Sequence, residues 1–487
     1  MDRISDAHEE APLLRPSRGH CSDSNEGCDV VPAPKFLDSP AAVLPIALIS
    51  ALAVAATAAT QIYAYESMLC KDAHHCDDSE RRAFAASVAI ATAVANVCAL
   101  LSIRMFEALG KDHLRLGLGI WLLVRSLSVV ALALGVFVGN IGIAMFSQVF
   151  EGLASDNILH FILNTFYIQA RTVAGTSRLI GSSLALYMIG ISLSPSIASL
   201  LGNYRYSFAM AYGLFLVAFV YLLVCVRTPR KVASPQTGRT ESCTTVARPS
   251  TQWHNLVSKF SSFTTSPIRF VVEDRWRLLP GLALFFYNAA QSYTFSALMV
   301  HTSVHFGFSS RENGFILTIV HAVASAYLFG VLFLVPKVAA FMERREHKTY
   351  SSTSPLRQVR SANGDDGRRN AYLALGSLLV QATALALVTF VRKPWQIYSI
   401  SALLALGLAC SGFIKSYFAA SFDAAEKARA LAYLALMESC GSLVAPIALG
   451  GLQTLWANGS VFIAATGCVS VASVLLFWTI VVDHRRS

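Results

Sequence analysis

Apolar blocks of about twenty residues recur along this sequence, and nothing else in it limits the fold so tightly. A helix of that length rises through the ~30 Å hydrocarbon core of a bilayer. Twelve blocks stand out, at roughly 41–62, 83–103, 114–138, 140–163, 178–201, 206–226, 278–303, 314–337, 370–391, 395–420, 430–453 and 459–482. Charged residues make up 14 % of the 487. Soluble domains carry about a quarter, so this chain lacks the charge to coat a water-facing surface. The expectation is an all-α membrane protein with twelve transmembrane helices. A soluble enzyme, a secreted disulfide scaffold and a disordered chain are excluded.

The blocks divide the chain into a polar tail (1–40), a six-helix half (41–226), a central loop (227–277), a second six-helix half (278–482) and a short end (483–487). The first block is too long for the h-region of a signal peptide and reads as a retained anchor. The loop is rich in Ser, Thr and Arg, a composition that cannot bury a core. Within it, Trp253, Leu256, Val257 and Phe260 are spaced for an amphipathic helix on the membrane face.

The net charge of +10 would suit nucleic acid, but its distribution does not. With the N-terminus in the cytosol, 30 of the 39 Lys and Arg fall on the cytoplasmic side. Seven fall outside (Lys71, Arg81, Arg82, Arg205, Arg311, Arg392, Lys393), and Arg125 and Lys415 lie within spans. That asymmetry places both termini in the cytosol. The partners expected are the bilayer, a small solute and protons, with no nucleic acid.

Six spans, a loop and six spans suggest a duplication, and spans five and eleven carry it. Gly190 and Pro195 recur 251 residues later as Gly441 and Pro446, amid small residues at similar offsets. Small residues let helix backbones approach, and a membrane proline bends its helix where neighbours satisfy the freed carbonyl.

On these residues the chain resembles the major facilitator superfamily, over nearly all of its length outside the N-terminal tail and central loop. The family's span-five antiporter motif, G-x-x-x-G-P-x-x-G-G, keeps Gly190 and Pro195, with Ser194, Ala198 and Ser199 in place of glycines. The D-R-x-G-R-R element between spans two and three survives as Glu107, Gly110 and Lys111. The span-four motif R-x-x-q-G reads Gln148-Val-Phe-Glu151-Gly152, with glutamine where the family has the arginine associated with proton coupling. Tyr65-Glu66-Ser-Met-Leu-Cys70 after span one, Cys76, and Leu436-Met-Glu438-Ser-Cys-Gly441 are most similar to fungal members. Those members are distantly similar to tetracycline-type antiporters and proton-coupled folate carriers. The resemblance implies a two-half transporter fold and export of a drug-like compound or secondary metabolite in exchange for protons.

A charge at mid-membrane costs at least about 2.5–3.5 kcal/mol on insertion scales, so each asks for a role. Glu151, in a span that lines the family's cavity, could exchange a proton each cycle or pair structurally with Arg125 at similar depth. Asp156 and His160, one turn apart, share a helix face and could form a relay or a substrate anchor. Glu438 reads as a helix-packing hydrogen bond, and Lys415 as a side chain that snorkels to the interface. Asn288 and Gln291 share a face in span seven among Tyr287, Tyr293 and phenylalanines. That arrangement suits either a cavity wall for a bulky organic molecule or a lipid-facing surface. Gln148 joins them as a cavity candidate. His301, His305 and His321 read as ordinary residues.

No Walker loop and no zinc-type spacing appear in the sequence, so no cofactor, metal or enzymatic activity is expected. Cys70 and Cys76 flank two histidines, but in an external loop a disulfide is the simpler reading. Asn458 heads a glycosylation sequon too close to the membrane to be used. Glu9, Leu13 and Leu14 fit an acidic dileucine signal for a vacuolar membrane, the alternative to the cell membrane. A monomer is expected. A proton-coupled importer and a non-transporting sensor or scaffold remain the rival functions.

Overall fold

The computed structural model describes residues 39–71, 76–168, 173–201, 203–226, 275–335, 337–338, 355–422, 424–455 and 459–486. The dileucine signal, the central-loop amphipathic stretch and Asn458 lie outside the described residues. Helices run α1 Leu44–Leu69, α2 Asp78–Asp112, α3 Leu114–Val138, α4 Ile141–Leu153, α5 Asp156–Ile168, α6 Val173–Ser199 and α7 Arg205–Cys225. The second half holds α8 Leu278–Phe306, α9 Ser310–Phe329, α10 Pro355–Val388, α11 Pro394–Gly407, α12 Cys410–Ala420, α13 Ala424–Ala445, α14 Gly451–Leu455 and α15 Ser460–Arg486.

Ten helices among the described residues are long and apolar enough to cross a membrane. The other two expected spans fall short for different reasons. Span four is broken into α4 and α5, and neither piece alone crosses. Span seven, α8, has the length and no Asp, Glu, Lys or Arg, but its Asn, Gln, Tyr and His lower its hydropathy. The two spans singled out for cavity-facing polar residues are thus the two least able to stand alone in lipid. Both need protein around them, which their packing supplies. Large side chains on the outer surface, among them Leu127, Phe137, Leu216, Val224 and Trp478, are exposed to what would be hydrocarbon.

The duplication extends into packing. Gly190 of α6 lies against Leu48 and Ala51 of α1, and Gly441 of α13 lies against Phe285 and Asn288 of α8. A Cβ at either position would collide with the neighbouring backbone. Helices five and eleven therefore close on helices one and seven, equivalent partners in the two halves. Pro195 is carried inside α6, whereas Pro446 opens a π-helical stretch, Pro446–Gly450. The extra residue per turn absorbs the missing N–H.

Spans four and ten, also equivalent, are both interrupted within their length: α4 ends at Leu153 and α11 at Gly407. Each break is held by an aromatic donor from a neighbouring helix. Trp121 Nε1 of α3 donates to the Ser155 carbonyl at 3.0 Å, and the Tyr287 hydroxyl of α8 donates to the Gly407 carbonyl at 2.9 Å. The Ser155 carbonyl also accepts from the N–H groups of Ile158 and Leu159, so Trp121 adds a contact from a neighbouring helix at the break.

Several boundaries differ from the sequence reading. Tyr65 and Glu66 were expected after span one but lie inside α1, whose last turns are buried. Glu107, Gly110 and Lys111 were expected in a loop, yet α2 continues through them to Asp112. Their side chains lie outside the described residues. Cys70 and Cys76 form a disulfide between α1 and α2. Their sulfurs, together with Glu80, are close enough to resemble a metal cluster, but they are bonded to each other.

Candidate functional site

The break in span four sits between Glu151 and Asp156, and it organises the site. Gly152 makes the approach here: its α-carbon faces the Ala95 carbonyl and Cys98 of α2, leaving no room for a Cβ. Arg125, 7 % exposed on α3, enters from the side. Its Nη2 pairs with Glu151 Oε1 at 2.9 Å, and its Nη1 donates to the Glu151 carbonyl at 3.1 Å. Gln148 Nε2 donates to the other carboxylate oxygen at 2.8 Å. Both Glu151 oxygens are therefore occupied. The structural pairing weighed for Glu151 is present, and Gln148 is turned onto Glu151.

Below the break, Asp156 begins α5 and lies within electrostatic reach of both Arg125 and Tyr187 of α6. The His160 ring stands edge-on to Tyr187, with centroids 4.4 Å apart. From the other half, His321 of α9 comes within electrostatic reach of Asp156. Its Nδ1 is 2.8 Å from the Leu317 carbonyl. A carbonyl only accepts, so Nδ1 carries the proton and Nε2 is left as an acceptor. His321 is thus a site residue that the sequence reading passed over. Its partner lies far away in the chain, on the other half, and no local spacing signals that.

The span-seven candidates are placed less openly. Tyr287 is buried and spent on Gly407, and Tyr293 donates to Gln453 Oε1 at 2.9 Å. Asn288 Nδ2 donates to the Leu284 carbonyl on its own helix at 3.1 Å. Gln291 accepts from Gln381 of α10. Lys415 and Glu438, read as a snorkelling base and a packing acid, pair with each other across α12 and α13. Two ions within helix-forming spans neutralise one another more cheaply than either does alone.

The halves meet at middle and outer levels, where "outer" is the side assigned by the charge asymmetry. Side-chain hydrogen bonds that cross between them include Asn96 Nδ2 to the Ser442 carbonyl at 2.7 Å and Ser196 with Thr318 at 2.9 Å. Gly450 packs on Ala89, and Gly314 on Pro195. Towards the inner side, α6 and α9 part around a cavity of about 310 Å³, walled by Leu184, Met188, Ser325 and Phe329. The halves are thus in contact along the outer part of the seam.

No protein-family model and no curated protein matches this sequence. Solved structures do. The nucleoside transporter NupG is similar over 92 % of this chain and 99 % of its own, with a TM-score of 0.58 and 12 % identity. A point mutant of NupG matches at 0.58 and 11 %, over 90 % and 99 %. The human organic anion transporter MFSD10 (TETRAN) matches at 0.53 and 13 %, over 91 % and 100 %. At such identities the likeness speaks for architecture alone, and on that ground this all-α, multi-pass membrane protein has the major facilitator superfamily fold.

Proposed function

We propose that the protein is a secondary transporter that exports a small organic molecule, in exchange for protons, by alternating access between its halves at the cell membrane. The observation that carries this reading is the charged group at the break of span four. Arg125 and Glu151 pair beside the break, Asp156 begins the helix below it, and His321 of the other half comes within electrostatic reach of Asp156. Discontinuous helices near mid-membrane are where transporters of several folds place substrate and coupling ions. The solved neighbours are named for a nucleoside and an organic anion, and that supports an organic solute. The antiporter-type residues Gly190 and Pro195 favour export.

Glu151 and Asp156 are the proton-coupling candidates, with His160 and Arg125 tuning them. The test is the distribution of small metabolites in cells lacking the protein and in cells overproducing it, followed by flux of the identified compound in liposomes. Retention in the deletion strain and enrichment in the medium on overproduction is expected. The opposite pattern would make the protein an importer, and absence of flux from liposomes would make it a scaffold. An E151Q variant is expected to lose gradient-driven accumulation; full accumulation would remove Glu151 from the coupling step.

A further inference from the structure

Among the described residues one carboxylate is enclosed far more completely than those of the central site. Glu66, near the outer end of α1, is 1 % exposed. It lies on the helix that packs against α8 and α9 of the other half, with Ser303 of α8 as its polar neighbour. Ser303 belongs to a polar knot that closes the turn between α8 and α9. Its Oγ accepts from Asn313 Nδ2 at 3.0 Å and donates to the Phe308 carbonyl at 3.3 Å, while Thr302 Oγ1 donates to Asn313 Oδ1 at 2.7 Å. Ser303 is 2 % exposed and Thr302 and Asn313 are 0 % exposed, so the knot excludes water.

On its own helix the titratable neighbour is Tyr63, and Lys71, just past the end of α1, is exposed; charged groups on the surrounding helices have contacts of their own. On α9, Glu312 accepts from the Ser309 backbone at 2.9 Å, and Arg311 stands over the Phe315 ring. On α7, Arg205 lies over Phe137, and Tyr204 meets Tyr63 edge-on at 5.2 Å. On α8, His305 stacks on His301. On α2, Arg81 pairs with Asp78 and Arg82 donates to the Asp78 carbonyl. Arg125 of α3 is taken by Glu151 of α4. At the outer end of α6, Ser194 and Ser196 are neutral. Among the described residues Glu66 has a hydroxyl beside it and no cation.

An ionised carboxylate cannot be enclosed at such a seam without a countercharge or full hydrogen bonding. Parting the outer seam would return it to water. We propose that Glu66 is a proton-binding site at the outer gate. Its carboxylate takes a proton from the outer aqueous side as a condition of closing, and returns it to that side on reopening. The O–H formed then donates into the seam in place of the lost hydration. No net charge crosses the membrane by this step, so it is separate from coupling at Glu151. It rests on the alternating-access reading for its conformational cycle, but not on the identity or direction of the solute.

The test uses the full chain in lipid nanodiscs, without solute. Spin labels on non-canonical residues replacing Tyr206 and Trp395, both exposed at the outer ends of α7 and α11, report the distance between halves by pulsed dipolar spectroscopy. In the parent, the closed-to-open ratio should fall as the medium becomes alkaline, by up to about tenfold per pH unit for one linked proton. E66Q, which mimics the neutral acid, should stay closed throughout. E66D should keep a pH dependence with a displaced midpoint. An unchanged pH profile in E66Q, or a parent that does not respond to pH, would overturn the proposal. If E66Q is not recovered folded, an unshifted midpoint in E66D does the same. A protein that passes this test and yet moves no solute would sink the transport reading alone.

Discussion

Two carboxylates in one half of the molecule, Glu151 and Glu66, have been given opposite environments. Glu151 retains 30 % side-chain exposure, yet has a guanidinium at 2.9 Å and an amide at 2.8 Å. Glu66 is 1 % exposed and has a hydroxyl in reach, with no cation among the described residues. Burial and charge compensation are therefore uncoupled, and each site solves a different problem. Glu151 is given a cation and an amide donor beside the break; enclosure makes Glu66 sensitive to whether the seam is open. A single depth-based rule for membrane acids would treat them alike.

The largest effect should come from removing the compensation. Breaking a buried ion pair by deleting one partner costs roughly 3–5 kcal/mol, and the partial exposure of Glu151 puts R125A at the lower end. Thermal unfolding of the purified protein should show it, and an R125A/E151Q double variant should regain part of the loss. Strict additivity of the two would mean the pair contributes nothing jointly. E151Q alone should cost less, about 1–3 kcal/mol, because Arg125 keeps the Glu151 carbonyl and gains an amide oxygen.

The contrast explains what the sequence revealed and what it hid. Span lengths were legible because hydrocarbon thickness dictates them, and α3 falls on the expected 114–138. The Gly190/Pro195 and Gly441/Pro446 repeat was legible because close helix approach restricts residue size locally. The break after Leu153 was not: Ala154 and Ser155 are not helix breakers, and the groups that meet it, Trp121 and Arg125, come from another helix. Glu66 was set outside the membrane because an acid near the end of an apolar block reads as its boundary. Its polar neighbour Ser303 belongs to α8 in the other half of the chain. Pairing with Arg125 was one of two readings open for Glu151, since both residues stand out as membrane charges, whereas the electrostatic approach of Asp156 and His321 depends on how the halves dock.

A smaller effect compares the halves through their broken spans. W121F removes the donor to Ser155, and Y287F removes the donor to Gly407. Each should cost about 0.5–1.5 kcal/mol, the net contribution of one hydrogen bond. If the breaks are equivalent devices, the two losses should be similar and additive. A loss confined to W121F would show that span ten holds its break without Tyr287, and that the symmetry is one of sequence spacing alone.

The smallest change is expected at the most buried acid, and it is the sharpest test of the comparison. Glutamine has the shape of a protonated glutamate, so E66Q should leave stability near the parent's in acid medium, where the seam holds the neutral acid. As pH rises, the parent must either keep a proton against the gradient or open, and its stability should fall while that of E66Q does not. Glu151 predicts the reverse order: E151Q loses the ion pair with Arg125 and should be less stable than the parent. Melting curves of parent, E66Q and E151Q across pH therefore diverge in opposite directions, E66Q rising above the parent and E151Q falling below it. Parallel curves for both variants would mean that the two environments, different as they are in geometry, handle the proton alike.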